Sequence, residues 1–405
     1  MNQRRVGRVA TLPEAQLIPR EELFKPGKRN IKLNIGIPDN ASAIEYRIPL
    51  TPQSVELLVC NGHEIYIQAG AGKTANYSDK QYAEAGAIVC KTQEEVFRCD
   101  IVLKMSPFTE EEAELMKGNQ LLFSPVYITL MTQDSVKRLM RKKVTAVGYE
   151  FIKDEHGIYP FIQVSSEIAG NVAMIVASEY LSSARNGKGV ILGSVTGIAP
   201  TEVVILGSGK VAEFAARTAL AFGAEVKVFD DSIYKLMDLQ SRLGQRIFTS
   251  VFHPKALKKA LRTAEVAIGA LPVNQVPRLI VPEEMVKGMK ENSVIIDLNV
   301  IQGGCFETSR ITNLKKPTYT EHGVIHYCVP NITSRVARTA SIALSNIIAP
   351  TLLEIGESGG INSYIKGNNG FRDGIYLYNG ILTNHDIGQL TNLPDTDINL
   401  LLAAF

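Results

Sequence analysis

The sequence predicts an α/β protein of two units, one inserted into the other and joined to it by two long helices. Three observations predict this. Short apolar runs of strand length alternate with helical stretches along the chain. At 405 residues the chain exceeds the size at which a single core stops growing. One stretch, residues 201–231, reads as strand, glycine turn, helix and second strand ending in an acid.

Taken in order, the first unit opens with a strand over 31–37. Glu45-Tyr46-Arg47-Ile48-Pro49-Leu50-Thr51-Pro52 follows, and Thr51 can cap a helix that Pro52 starts and that runs to about Cys60. A strand over 63–68 ends in the glycine-rich 69–72. There Gly72-Lys73-Thr74 resembles the end of a P-loop, but the full pattern needs a glycine where Ile67 stands, so nucleotide binding is not assigned there. Strands over 88–90, 101–104, 121–124 and 144–149 alternate with helices near 78–85, 94–99, 109–116 and 132–142. Three acids in the first turn of the 109–116 helix suit its dipole.

A long helical pattern begins at Ser165, which Ser165 or Ser166 can cap, and crosses to the second unit. In that unit Val203–Leu206 is an apolar run of buried-strand length. Gly207, Gly209 and Ala212 then fit G-x-G-x-x-G/A. The first glycine permits a sharp turn, the second lets the backbone approach a pyrophosphate, and the small third residue lets helix pack on sheet. After a helix over 212–222 the strand at 226–229 ends at Asp230, 21 residues beyond Gly209, where a carboxylate binds the adenosine ribose. No arginine follows Asp230 directly, which favours NAD over NADP. A βα turn that binds nothing is the competing reading. Further strands are expected at 265–268, 293–298 and 324–328, with helices near 255–262 and 282–289. A second long helix over 336–355 returns the chain to the first unit. The organisation is two Rossmann-like α/β domains. The dinucleotide-binding domain, 166–337, is inserted into a discontinuous domain of 31–165 and 338–405, after an N-terminal extension over 1–30.

A net charge of +2 gives no electrostatic case for nucleic acid. No run of about twenty apolar residues points to a membrane span. Five cysteines without a C-x-x-C pair suit a reduced, cytoplasmic protein. Seven Arg or Lys fall within the first thirty residues without the apolar core of a secretory signal. No His or Cys cluster suggests a metal.

Several motifs together resemble the alanine dehydrogenase family, which also includes the NAD-binding part of the proton-translocating pyridine nucleotide transhydrogenases. They are EYRIPLTP, GHEIYIQAGAG, DIVLK, SEIAG, GSGKVA, IIDLNVIQGGCFETSR and YCVPNITSRVARTAS, and they cover the chain from about Ile31 to near its end. The resemblance implies an NAD-dependent oxidative deamination of a small L-amino acid to a 2-oxo acid, in a homo-oligomer, a dimer or hexamer.

It also implies site residues. Arg47 matches the arginine that binds the substrate carboxylate, and Lys104 the lysine that contacts its carboxylate or carbonyl. Exposed surface charge is the competing reading for both. Ser166 matches a serine near the cofactor phosphates and Lys235 a basic residue flanking the adenosine. Gly207, Gly209 and Lys210 form the turn, Leu271 lies over the dinucleotide, and Asn331 lies near the nicotinamide. Two positions depart. Tyr127 stands where alanine dehydrogenases have the acid/base histidine, and Ile301 where they have an aspartate. Tyr127 is the remaining candidate for the acid/base role, although an unperturbed tyrosine titrates near 10. Glu150 and Glu167 have family counterparts as packing or supporting groups, and His326 is either structural or close to the cofactor. Two further functions stay open: a nucleotide-binding protein that has lost the chemistry, and a dehydrogenase of another substrate with Ile301 lining an apolar pocket.

Overall fold

The computed structural model describes residues 30–40, 42, 44–128, 131–271 and 280–404, so the expected N-terminal extension lies almost wholly outside the described residues. Two parallel-dominated sheets with helices on their faces build the chain, the α/β architecture that the alternation predicts.

The first sheet contains β1 (Asn34–Ile37), β2 (Glu64–Gln68), β3 (Ile88–Cys90), β4 (Ile101–Leu103), β5 (Leu121–Ser124) and β6 (Thr145–Gly148). The second contains β7 (Glu202–Leu206), β8 (Glu225–Phe229), β9 (Phe248–Ser250), β10 (Val266–Gly269), β11 (Val294–Asp297), β12 (Thr318–Glu321) and β13 (Val324–Tyr327). The chain then returns to the first sheet with β14 (Ile375–Tyr378) and β15 (Ile381–Leu382). The strand orders are β15-β14-β6-β5-β4-β1-β2-β3 and β12-β13-β11-β10-β7-β8-β9. Strands β4, β5, β10 and β11 are buried along their whole length, as both faces of a parallel sheet require.

Both orders have the same logic. From β1 the chain winds outward through β2 and β3, then restarts on the other side at β4. From β7 it winds through β8 and β9, then restarts at β10. Strand order therefore reverses between β1 and β4, and again between β7 and β10. In open α/β sheets such switch points leave a crevice beyond the carboxyl ends of the strands, and ligands bind there.

The two long helices are present. The first runs Pro160–Leu181. It begins five residues before the expected start, because Pro160 presets the first helical turn, so neither Ser165 nor Ser166 is its cap. Val172, Ala173, Val176 and Ala177 of this helix pack with Val203, Ile205 and Ala212 in the core of the second sheet. The second long helix, Ala337–Glu357, puts Leu344, Ile348, Leu352 and Ile355 into the core of the first sheet with Ile35, Ile37 and Ile65. Contrary to expectation, two helical stretches, Pro160–Leu181 and Ile332–Glu357, are apolar and long enough to cross a membrane by length and composition. Of each, 44% of the apolar window is buried within the protein.

Four strands were not expected, the parallel edge strand β9 beside β8 among them. β12 pairs antiparallel with β13, β14 pairs antiparallel with β6, and β15 closes a hairpin on β14.

Candidate active site

The loop after β1 carries Arg47, and serines in and just before the distant return helix hold that loop. The Tyr46 N–H donates to Ser334 Oγ at 3.1 Å, the Ile48 N–H to Ser341 Oγ at 2.9 Å and the Thr51 N–H to Ser345 Oγ at 3.0 Å. Ser341 and Ser345 lie four residues apart, on one face of the Ala337–Glu357 helix. Thr51 also caps the helix Pro52–Cys60 by accepting from the Ser54 N–H. The loop backbone is thus satisfied where it is buried, and Arg47 has a fixed base.

Arg47 is buried and forms a fork with Glu45. Its Nε donates to Oε1 at 2.9 Å and its NH2 to Oε2 at 2.7 Å. The same carboxylate accepts Asn331 Nδ2 at 2.7 Å and Ser334 Oγ at 2.9 Å. Burial pulls the Arg47 pKa down, but the Glu45 carboxylate outweighs it and the net direction is up. One glutamate therefore joins the loop after β1 to the segment after β13.

Lys104 follows β4 on the other side of the first switch point. It is 1% exposed and pairs with Glu112, from the helix Glu110–Leu115, while its Nζ also donates to the Pro107 carbonyl at 3.4 Å. Burial lowers its pKa, against the pull of Glu112. An ammonium carries three donors, so one remains for a ligand.

Tyr127 follows β5. Burial pushes its hydroxyl up to about 12, against the lowering effect of Arg47. It keeps its proton at neutral pH and can donate a hydrogen bond, but it does not act there as a base. A cavity of about 190 Å³ lies beside it, lined by Phe108, Val126, Tyr127 and Tyr376 among others. Glu150 follows β6 in the short 3-10 turn Tyr149–Phe151. Its Oε1 accepts the Val126 N–H at 2.6 Å.

At the second switch point the glycine turn lies between β7 and the helix Lys210–Ala221. Gly207 has φ +106°, and a Cβ there would meet the Ala270 carbonyl oxygen at 2.3 Å, so only glycine fits. Around Gly209 a Cβ would meet nothing within 4 Å, so the approach to the helix start is open. No side chain among the described residues caps that start, which leaves its N–H groups for an anion. Gly170 brings the crossover helix onto this one: a Cβ would meet the Val211 carbonyl oxygen at 2.6 Å. Ala212 is fully buried between helix and sheet.

Asp230 has a second task. Its Oδ2 accepts the Ser208 N–H at 2.9 Å and the Ser208 hydroxyl at 2.8 Å, and its Oδ1 accepts the Ser232 N–H at 2.9 Å. It clamps the glycine turn, and about one of roughly four acceptor positions is left for a ribose hydroxyl. Lys210 pairs with Glu213 at 3.3 Å. The Leu271 N–H donates to Asn299 Oδ1 at 2.8 Å beside Gly207. Ser166 is buried in the crossover helix, whereas Lys235 is exposed on the helix Ile233–Leu243. The open turn, uncapped helix and buried acid fit a dinucleotide.

His326 is structural: Nε2 meets Thr308 Oγ1 at 2.8 Å, Nδ1 meets the Val324 carbonyl at 2.9 Å, and the ring stacks on Tyr319. Ile301 lies in the short turn Val300–Gln302 after β11, and Glu167 is exposed. Sequence reasoning missed Glu45, Glu112, Ser334, Ser341 and Ser345. Only Glu45 left a signal, an acid two residues before the arginine.

Comparisons with known proteins concern the sequence and the fold. The family model for "Alanine dehydrogenase/PNT, N-terminal domain" matches residues 36–169, and that for "Alanine dehydrogenase/PNT, C-terminal domain" matches residues 173–385. The chain is 37% identical to an alanine dehydrogenase of Methanococcus maripaludis, over 89% of this chain and 97% of that protein. It is 34% identical to one of Staphylococcus saprophyticus, over 91% and 99%. A solved L-alanine dehydrogenase superposes with a TM-score of 0.81 at 32% identity, covering 88% of this chain and 99% of the other. A transhydrogenase from Sinorhizobium meliloti shares the fold, with a TM-score of 0.71 at 20% identity, over 87% and 99%.

Proposed function

The chain belongs to the alanine dehydrogenase/PNT family, and on that premise we propose that it is an NAD-dependent amino-acid dehydrogenase. It interconverts a small L-amino acid with the corresponding 2-oxo acid and ammonia. The substrate unit is residues 31–165 and 338–405, and the nucleotide unit is 166–337. One observation carries the reading: the Glu45 carboxylate holds Arg47 and Asn331 together. Substrate carboxylate and nicotinamide then meet beside that one carboxylate.

NAD, when bound, accepts the hydride from the substrate α-carbon. Gly207, Gly209 and Lys210 receive its pyrophosphate, Asp230 its ribose, and Asn331 lies on the nicotinamide side. Ser166, Leu271 and Lys235 border the phosphate and adenosine. Arg47 holds the substrate carboxylate with the N–H groups that Glu45 leaves free, since a guanidinium presents five donors. Lys104 donates its remaining N–H as a hydrogen bond to the substrate carboxylate or carbonyl. Tyr127 orients the substrate as a donor.

The same reading makes the protein a homo-oligomer, dimer or hexamer, of the reducing cytoplasm, without nucleic acid or membrane partners. Exposed Ile191, Val195 and Ile198, on a loop closed by the Val195–Ile198 bridge, supply an apolar surface for a subunit contact. The test is oxidation of NADH with ammonia and a panel of 2-oxo acids headed by pyruvate, beside a direct measurement of NADH binding. Turnover with at least one acid is expected. Tight NADH binding without turnover on any acid would leave a nucleotide-binding protein instead.

A further inference from the structure

The family's acid/base histidine and aspartate are replaced here by Tyr127 and Ile301, and the reaction still needs a group that takes and returns a proton. We infer that Glu150 is the acid/base group of this site, working from the carboxyl end of β6. The inference rests on the dehydrogenase reading and adds to it the group that moves the proton.

Position is the first argument. Arg47, Lys104, Tyr127 and Glu150 follow β1, β4, β5 and β6, neighbouring strands of one parallel run, so all four leave the sheet at the same edge. Anchorage is the second. The Val126 N–H fixes Oε1 at 2.6 Å, one residue before Tyr127. Oε2 is buried and has no hydrogen-bond partner among the described residues. A buried carboxylate oxygen without a partner is rare, and a catalytic role accounts for it. The surroundings are the third. The titratable groups that act on Glu150 or feel its charge are Arg47 from the loop after β1, Tyr127 from the loop after β5, Tyr149 from its own turn and Tyr376 from β14. Arg47 is the one cation among them. Burial raises the carboxyl to about 7, with the Val126 N–H and Arg47 opposing. Burial holds the three tyrosines in their neutral form.

The proton balance closes. Loss of hydride from the α-carbon of the free amine leaves an iminium on the substrate. Water attacks that carbon, the C=N π pair moves to nitrogen, and the Glu150 carboxylate takes the proton the water loses. Glu150 returns this proton to the nitrogen. The C–N bond then breaks, ammonia leaves with the bonding pair, and the hydroxyl proton passes through Glu150 to the ammonia. The products are a 2-oxo acid and ammonium.

The test compares Glu150→Gln with wild type. In wild type, kcat for deamination should rise with pH through about 7, where the carboxylate forms. In E150Q, kcat should fall about 100-fold or more and lose that step, while the Kd for NADH stays unchanged. A kcat within about threefold of wild type, with the step retained, overturns the inference but leaves the dehydrogenase reading intact. If E150Q does not fold, Glu150→Asp takes its place, with part of kcat and the pH step retained. A kcat for E150D equal to that of wild type would count against Glu150. A readout independent of turnover is the infrared C=O stretch of a protonated carboxyl in wild type. It should disappear as pH rises through about 7 and shift when pyruvate is added. A spectrum without such a band overturns the inference even if no 2-oxo acid turns over.

Discussion

The two crevices of this molecule are prepared in opposite ways. At the proposed nucleotide crevice the groups open to a ligand are backbone: an open glycine, an uncapped helix start and a turn clamped by Asp230. At the proposed substrate crevice they are charged side chains, already paired with one another: Arg47 with Glu45 and Lys104 with Glu112. A backbone cradle needs no counter-charge when empty. A buried cation does, because an unpaired charge in a low-dielectric interior costs several kcal/mol. The substrate site therefore carries its own carboxylates, and Glu45 also ties it to the nucleotide side through Asn331.

The largest effect should come from breaking that tie. Glu45→Ala leaves Arg47 buried without its partner and should cost about 3–5 kcal/mol of stability, read by urea unfolding. It should also weaken both NADH and 2-oxo acid binding, since both sides share the carboxylate. If one ligand is untouched, the two crevices are not coupled through Glu45.

Glu150 comes next. Its folded pKa of about 7 is raised above its ordinary carboxyl value, so the folded state binds the extra proton between the two. The associated stability is present below the unfolded pKa and is lost as pH rises to about 7. Glu150→Gln should therefore be more stable than wild type above that pH by about 3 kcal/mol, the difference vanishing in acid. Thermal unfolding across pH measures it, and a pH-independent difference would contradict it.

A smaller and more selective loss is expected from Gly207→Ala. The positive φ and the Ala270 carbonyl at 2.3 Å both oppose a Cβ. NADH affinity should fall about 10- to 100-fold, or roughly 1–3 kcal/mol, by calorimetry. The Arg47–Glu45 pair should be undisturbed. Thr51→Ala, which removes a helix cap of the first unit, should cost about 1 kcal/mol of stability and leave NADH binding unchanged.

The same contrast explains what the sequence disclosed. The nucleotide turn was legible because Gly207, Gly209, Ala212 and Asp230 act through local chain geometry within 24 residues. The partners of Arg47 were not, because Asn331 and Ser334 lie 286 and 289 residues from Glu45 and meet it only after both sheets form. Ser166 suits a cap by residue type, but Pro160 starts the helix earlier. The β14–β15 hairpin did leave a signal, Asn379-Gly380 between two apolar runs. Both residues have positive φ, as a tight hairpin turn requires. Lys104 reads as a surface charge by residue type alone. Only burial beside Glu112 separates it from that reading.

Arg47, held by Glu45, is proposed to receive the carboxylate of a 2-oxo acid beside bound NAD. Arg47→Lys tests it most directly, because lysine keeps the charge and removes the fork. Measured at saturating NADH, its KM for the 2-oxo acid should rise about 10- to 100-fold while the Kd for NADH stays at the wild-type value. An unchanged KM would mean that Arg47 does not hold the substrate carboxylate.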